Sequence, residues 1–159
     1  MTTINWPEKF HPSRAPVHVR NEIEIAAPCE RVWAWLARAE LWPAWYDNAA
    51  DVQFLNGPGP DLALGTQFRW RTFGVRIVST VQEFEPPFRM AWDAVTTGVE
   101  AWHAWLLEPT ADGCHVTTEE TQYGVFARTG DLLMPNRMSR GHQRWLEGLR
   151  DRALSGPPA

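Results

Sequence analysis

Four turn signals punctuate the middle of this chain, and they constrain its fold more than any other feature. They are Gly74, Glu85-Pro86-Pro87, Thr96-Thr97-Gly98 and Asp112-Gly113. Between them the sequence alternates with period two, the spacing of a half-buried strand. Phe68 and Trp70 point one way, and Gln67, Arg69 and Arg71 the other. Val75, Ile77, Ser79 and Val81 share a face of the next strand; Met90, Trp92 and Ala94 share one on the strand after. Ala101, His103, Trp105 and Leu107 then face Val116, Thr118, Glu120 and Gln122 across Asp112-Gly113, a strong hairpin signal. Sequential hairpins imply an antiparallel sheet.

Upstream, Val17 to Ala26 alternates in the same way, with Asn21 interrupting the apolar face. Ala27-Pro28 stops that strand. Cys29 to Ala39, with Val32, Trp33 and Leu36 at helical spacing, predicts a short helix, and Glu40 to Tyr46 a second helix or turn. Ala49 to Asn56 reads as a strand, and Asn56 to Asp61 as a loop that could rim or cover a cavity. Downstream, Thr129 to Leu154 reads as one long helix with Asp131 as its N-cap and Pro135 in the first turn. Met134, Met138, Trp145 and Leu149 form its apolar stripe. Gly141 and His142 interrupt the stripe. Either a neighbouring backbone approaches Gly141 closely, or the helix faces a space meant for something other than protein. A sheet with one apolar face needs a cover, and this helix is the element able to supply it. The expected fold is α+β: a curved antiparallel sheet of about seven strands wrapped around a long C-terminal helix (a helix grip), with two short helices after the first strand. Residues 1–16 read as an irregular arm and 17–155 as a single domain.

Composition bounds the partners. At 159 residues the chain can bury a real core, and its net charge of -4 argues against a nucleic-acid partner. No stretch has a membrane helix's apolar length, and the first residues lack a signal peptide's apolar run, so a cytoplasmic protein without stable membrane insertion is expected. Cys29 and Cys114, without a paired spacing, read as free thiols in a reducing compartment. A monomer or a homodimer fits equally. The chain carries 10 tryptophans. Trp33, Trp42 and Trp45 are expected to pack the sheet's open end, while Trp70, Trp92, Trp105 and Trp145 have the parity to wall a pocket or to fill a core.

Several of these segments are specific in combination. The run Ile25 to Trp33, with Ala27-Pro28 followed by Val32-Trp33, resembles the opening of the bacterial polyketide cyclase/dehydrase and lipid-transport proteins, the SRPBCC group of the Bet v 1-like or START-like superfamily. Leu41-Trp42-Pro43-Ala44-Trp45, Leu64-Gly65-Thr66, Glu83 to Trp92 and Trp105 to Pro109, then Gly113, Val116, Glu120 and Gly124, resemble its later elements. The resemblance spans Val17 to Leu154. It implies that 17–155 is a ligand-binding domain, with a deep cavity between the sheet and the C-terminal helix and ligands such as lipids, sterols or polyketides.

His103 and Glu120 are the candidate catalytic pair, since a carboxylate beside an imidazole sets its tautomer for acid–base work. The bland alternative is a structural pair on the wall. His142 is a further candidate at the same cavity, with Asn21, Ser79, Thr118 and Gln122 as polar lining. Phe68, Met90 and Met138, together with Trp70, Trp92, Trp105 and Trp145, would complete the ligand-binding wall. His103, Glu120 and His142 also raise a metal, but no ligand spacing supports one and no cofactor is expected. Three functions compete. The first is a binder of a small hydrophobic, aromatic or polycyclic molecule. The second is a cyclase or dehydratase using His103 and Glu120. The third is a partner-binding module acting through the Arg-rich helix (Arg128, Arg137, Arg140, Arg144, Arg150, Arg152).

Overall fold

The computed structural model describes residues 3–159. The alternating segments form seven strands: β1 (Val17–Ile25), β2 (Ala49–Phe54), β3 (Gln67–Thr72), β4 (Val75–Glu85), β5 (Arg89–Thr96), β6 (Val99–Thr110) and β7 (Gly113–Tyr123). They make one antiparallel sheet in the order β1-β7-β6-β5-β4-β3-β2. Consecutive hairpins account for every neighbour except β1, which returns to pair with β7. Register shifts between Ala50 and Gln53 and between Val81 and Glu83 mark irregularities of the kind that bend a sheet. Two short helices follow β1: α1 (Cys29–Ala37) and a 3-10 helix at Ala39–Ala44.

The C-terminal region departs from expectation. Instead of one helix there are two, α2 (Val125–Leu133) and α3 (Arg137–Ser155). The break falls at Pro135. Its ring disfavours helical backbone in the residue before it, and Met134 sits at φ -133, ψ 65. Asn136 then takes a left-handed conformation, φ 67, and starts α3. Asp131 lies inside α2 and is no cap.

α3 lies across the sheet and α1 packs beside it. The shared core holds Leu36, Trp42, Trp92, Trp105, Leu107 and Trp145. Trp42 does not sit at the sheet's open end: it is buried at the centre, with ring centroids 5.3 Å from Trp70, 5.7 Å from Trp92 and 5.1 Å from Trp145. The sheet's other face is covered by the N-terminal arm, where Phe10 stacks on Trp102 at 5.8 Å.

Cys29 and Cys114 are joined in a disulfide, which corrects the free-thiol reading. Register makes the bond. Cys114 is paired with Ile25 at the end of β1, and Cys29 opens α1 four residues later, so their Cα atoms come within 5.2 Å. Among the described residues, no helix is long and apolar enough to cross a membrane.

Candidate functional site

A cavity of about 190 Å³ lies between the sheet and α3, towards the end of the molecule where β1 begins and β7 ends. Trp70 from β3, Trp92 from β5 and Trp145 from α3 form much of its wall. His103 from β6, Glu120 and Gln122 from β7, and His142 from α3 supply the polar groups. The mouth is framed by Phe73 and Val75, by Thr96 and Val99, and by Phe126 and Met134 around α2. The Asn56 to Asp61 loop contributes nothing to this lining, so the rim is α2 and the β3–β4 hairpin.

The polar cluster is built by strand register. His103 and Glu120 stand directly opposite across the β6–β7 pair, because the Asp112-Gly113 turn sets that register. One carboxylate oxygen, Glu120 Oε2, lies 3.3 Å from His103 Nδ1 and 3.1 Å from His142 Nε2. Gln122 Nε2 donates to the other oxygen at 2.6 Å. On its far side His103 Nε2 meets the Thr118 hydroxyl at 2.7 Å. The His103 ring is sandwiched. It stacks on His142 at 4.7 Å and 22° and on Trp105 at 5.3 Å and 23°. All three charged-capable residues are buried.

Burial alone would raise the Glu120 pKa. The hydrogen bond from His142, the fields of both imidazoles and the hydrogen bond from Gln122 outweigh it and hold the carboxyl below its ordinary range. Burial pushes His103 down, with Glu120 opposing and His142 reinforcing that fall, so the ring is neutral at pH 7. The arrangement is an ionised carboxylate hydrogen-bonded to the His142 ring, with the His103 ring beside it held by Thr118. Such a group can hold a ligand hydroxyl or move a proton to and from it.

The ligating atoms of His103, Glu120 and His142 lie within 4.8 Å of one another. A metal ion sits close to the plane of each imidazole that binds it. Here the two rings are stacked only 22° from parallel, so their lone pairs do not converge on one point. A cation would require one ring to turn. The cluster as arranged fits a hydrogen-bonded relay better than a chelate.

Of the expected lining residues, Trp70, Trp92, Gln122, Met138, His142 and Trp145 reach the cavity with His103 and Glu120. The others stand behind or beside it. Phe68, Met90 and Trp105 are in the core. Ser79 accepts the Trp70 indole N–H at 3.1 Å, and Thr118 supports His103. Asn21 faces α3, donating to Gln143 Oε1 at 3.0 Å.

Gly141 finds its reason at the mouth. A Cβ there would lie 2.5 Å from the tip of the Phe73 ring. The close neighbour is therefore a side chain that itself lines the cavity. Phe73 has φ 49, a left-handed conformation that costs a non-glycine residue about 1–2 kcal/mol. It is held there by polar contacts that sequence pattern did not reveal. Asn48 Oδ1 accepts the Phe73 N–H at 2.7 Å, and Asn48 Nδ2 donates to the Tyr46 hydroxyl at 2.8 Å. That hydroxyl donates to the Gly141 carbonyl at 3.2 Å, and the Tyr46 ring stacks on Trp145 at 4.7 Å. Tyr46 and Asn48 follow the tryptophan-rich turn and carry no periodicity that would single them out. Arg137 closes the set, donating to the Phe73 carbonyl at 3.1 Å with its guanidinium over the ring.

Three further arginines of α3 have separate partners. Arg144 meets Asp47, Arg150 meets Asp151, and Arg152 lies over Trp35. They do not form one continuous basic stripe.

Known proteins place this architecture. A hypothetical protein from Helicobacter pylori, jhp0584, is 31% identical; the match covers 96% of this chain and 97% of that one, with a TM-score of 0.90. Two di-domain ARO/CYC proteins share the fold. BexL from the BE-7585A biosynthetic pathway is 18% identical over 89% of this chain and 51% of its own, at a TM-score of 0.68. StfQ from the steffimycin pathway is 13% identical over 87% and 51%, at 0.71. No curated protein matches the chain. The family described as "Polyketide cyclase / dehydrase and lipid transport" matches residues 16–154, nearly the whole chain, and the protein belongs to that family.

Proposed function

We propose that the chain binds a small, flat, hydrophobic molecule in the cavity under α3. The observation that carries this reading is an aromatic-walled space of about 190 Å³ with a buried polar cluster on its wall. Its size sets a scale. An engineered cavity of about 150 Å³ holds benzene, so this space suits one ring or a compact fused pair. Glu120, as a carboxylate, accepts hydrogen bonds, which favours a ligand that carries a hydroxyl. Titrating 2-naphthol, naphthalene and a fatty acid against tryptophan fluorescence tests the reading. Saturable quenching by an aromatic member supports it, and a folded protein that responds to none of the three removes it.

A second reading is that the same site catalyses a cyclisation or dehydration, with His103 as acid and base and Glu120 as its orienter. The 3.3 Å contact between them, beside the cavity, favours it. Turnover of a poly-β-ketone that is lost in His103→Ala, with fold and 2-naphthol binding retained, is the expected result. Turnover unchanged in that variant takes His103 out of the mechanism.

A further inference from the structure

A helix at a protein surface ordinarily has one apolar face. α2 has two. Phe126, Ala127, Gly130 and Asp131 turn towards the cavity. Helical spacing puts Val125, Arg128, Thr129, Leu132 and Leu133 on the opposite side. Leu132 is 81% exposed, Val125 73% and Leu133 72%, and Phe126 at the edge is 62% exposed. Scattered exposed leucines are ordinary; a run of large apolar side chains in one short segment marks a surface that meets something else.

Charge selects the partner. The whole chain carries -4, yet between residues 125 and 144 there are four arginines and one acid. That acid, Asp131, lines the cavity. Arg128 lies on the outer face of α2 itself, and Arg137 and Arg140 begin α3. Arg76 stands on the β3–β4 hairpin next to Val75, which is also exposed. Arg137 is engaged with Phe73, but among the described residues none of Arg76, Arg128 and Arg140 is in an ion pair. A second copy is a poor occupant, because a two-fold interface would set this net-basic patch against the same net-basic patch. The helix is also too short to span a bilayer. Leucine, valine and phenylalanine beside arginine is the composition of a helix that lies in a membrane interface.

We propose that the outer face of α2 docks on an anionic lipid bilayer, and that the cavity takes its ligand from there. The docking stands on the surface alone; the delivery of ligand rests on the binding reading above. Apolar side chains would enter the acyl boundary while the arginines meet the headgroups. The same helix lines the cavity on its inner side, so docking places the mouth against the apolar phase.

Flotation of the full chain with phosphatidylcholine vesicles, with and without about 30 mol % phosphatidylglycerol, tests this. The expected result is at least about tenfold stronger partitioning onto the anionic vesicles, falling away in about 0.5 M salt. The double variant Leu132→Asp/Leu133→Asp loses partitioning while still binding 2-naphthol. Arg128→Glu/Arg140→Glu weakens it on anionic vesicles. Three results overturn the proposal: wild-type protein that floats with neither vesicle, equal partitioning onto both, or unchanged flotation of the leucine variant. A wild-type dimer that the leucine variant dissociates, without flotation, assigns the face to a second copy and also overturns it. Flotation without 2-naphthol binding sinks the ligand reading and leaves the docking in place.

Discussion

Glu120 accepts contacts from three side chains, and the burial of the cluster they form shows itself in acid. The folded chain holds Glu120 below its ordinary 4.5 and His103 below its ordinary 6.5. In both cases the unfolded chain binds protons first, so stability is fully present above the ordinary values and is lost as pH falls. Urea midpoints are expected to hold near neutrality, drop as pH passes below 6.5, and drop again below 4.5. His103→Gln removes the first of these limbs and leaves the second. Burial raises the Tyr46 hydroxyl, so a loss also begins above its ordinary 10.0. The pairing of His103 with Glu120 was legible from residue order alone, because Asp112-Gly113 sets the register and parity does the rest. His142 was legible as an inward residue, but not its partner, because the phase between a helix and a sheet is set by packing. Asn48 was illegible for a different reason: its role is to hold a strained backbone, and strain leaves no periodic mark.

At the scale of elements, the two helical glycines of the stripe region show how packing overrides propensity. Glycine inside a helix costs about 1 kcal/mol against alanine, so Gly148→Ala ought to stabilise α3. Here a Cβ at Gly148 would lie 2.9 Å from the Trp45 carbonyl oxygen, which is backbone and cannot rotate away. A net loss of about 1–2 kcal/mol is expected for Gly148→Ala, read from chemical denaturation. A gain would mean that the turn carrying Trp45 shifts freely. The seven strands were readable from alternation and turns, and the cover helix from its stripe. The break at Met134-Pro135-Asn136 was not, because Met134 and Met138 keep the same spacing whether the helix is continuous or bent. Once divided, α2 ceases to be part of a long helix and becomes one side of a cavity's mouth. Its amides are expected to exchange with deuterium much faster than those of β6 and β7, which lie inside the sheet with hydrogen-bonded neighbours on both sides.

Across the whole molecule, the bond between Cys29 and Cys114 closes a loop with a separation of 85 residues. By chain entropy, such a closure contributes about 4–5 kcal/mol. Denaturant unfolding with and without a reductant is expected to differ by a large part of that amount, and a difference below about 1 kcal/mol would show that the native contacts hold α1 unaided. Two cysteines so far apart, with no motif between them, carried no sign of pairing in the sequence; the bond needs both the β1–β7 register and the placing of α1 just past the end of β1.

That bond also lies at the opposite end of β7 from the cavity. Cys114 and Gln122 are separated by eight residues of strand, roughly 26 Å. One end of the molecule is tied covalently, and the other opens beside a nine-residue helix. The two ends therefore keep different time. On the proposed function, a guest would leave on the microsecond-to-millisecond schedule of surface-helix motion, while the chain comes apart on the far slower schedule of a sutured sheet. Reducing the disulfide will shorten the second schedule, and on that reading leave the first as it was: residence time and durability would be set at opposite ends.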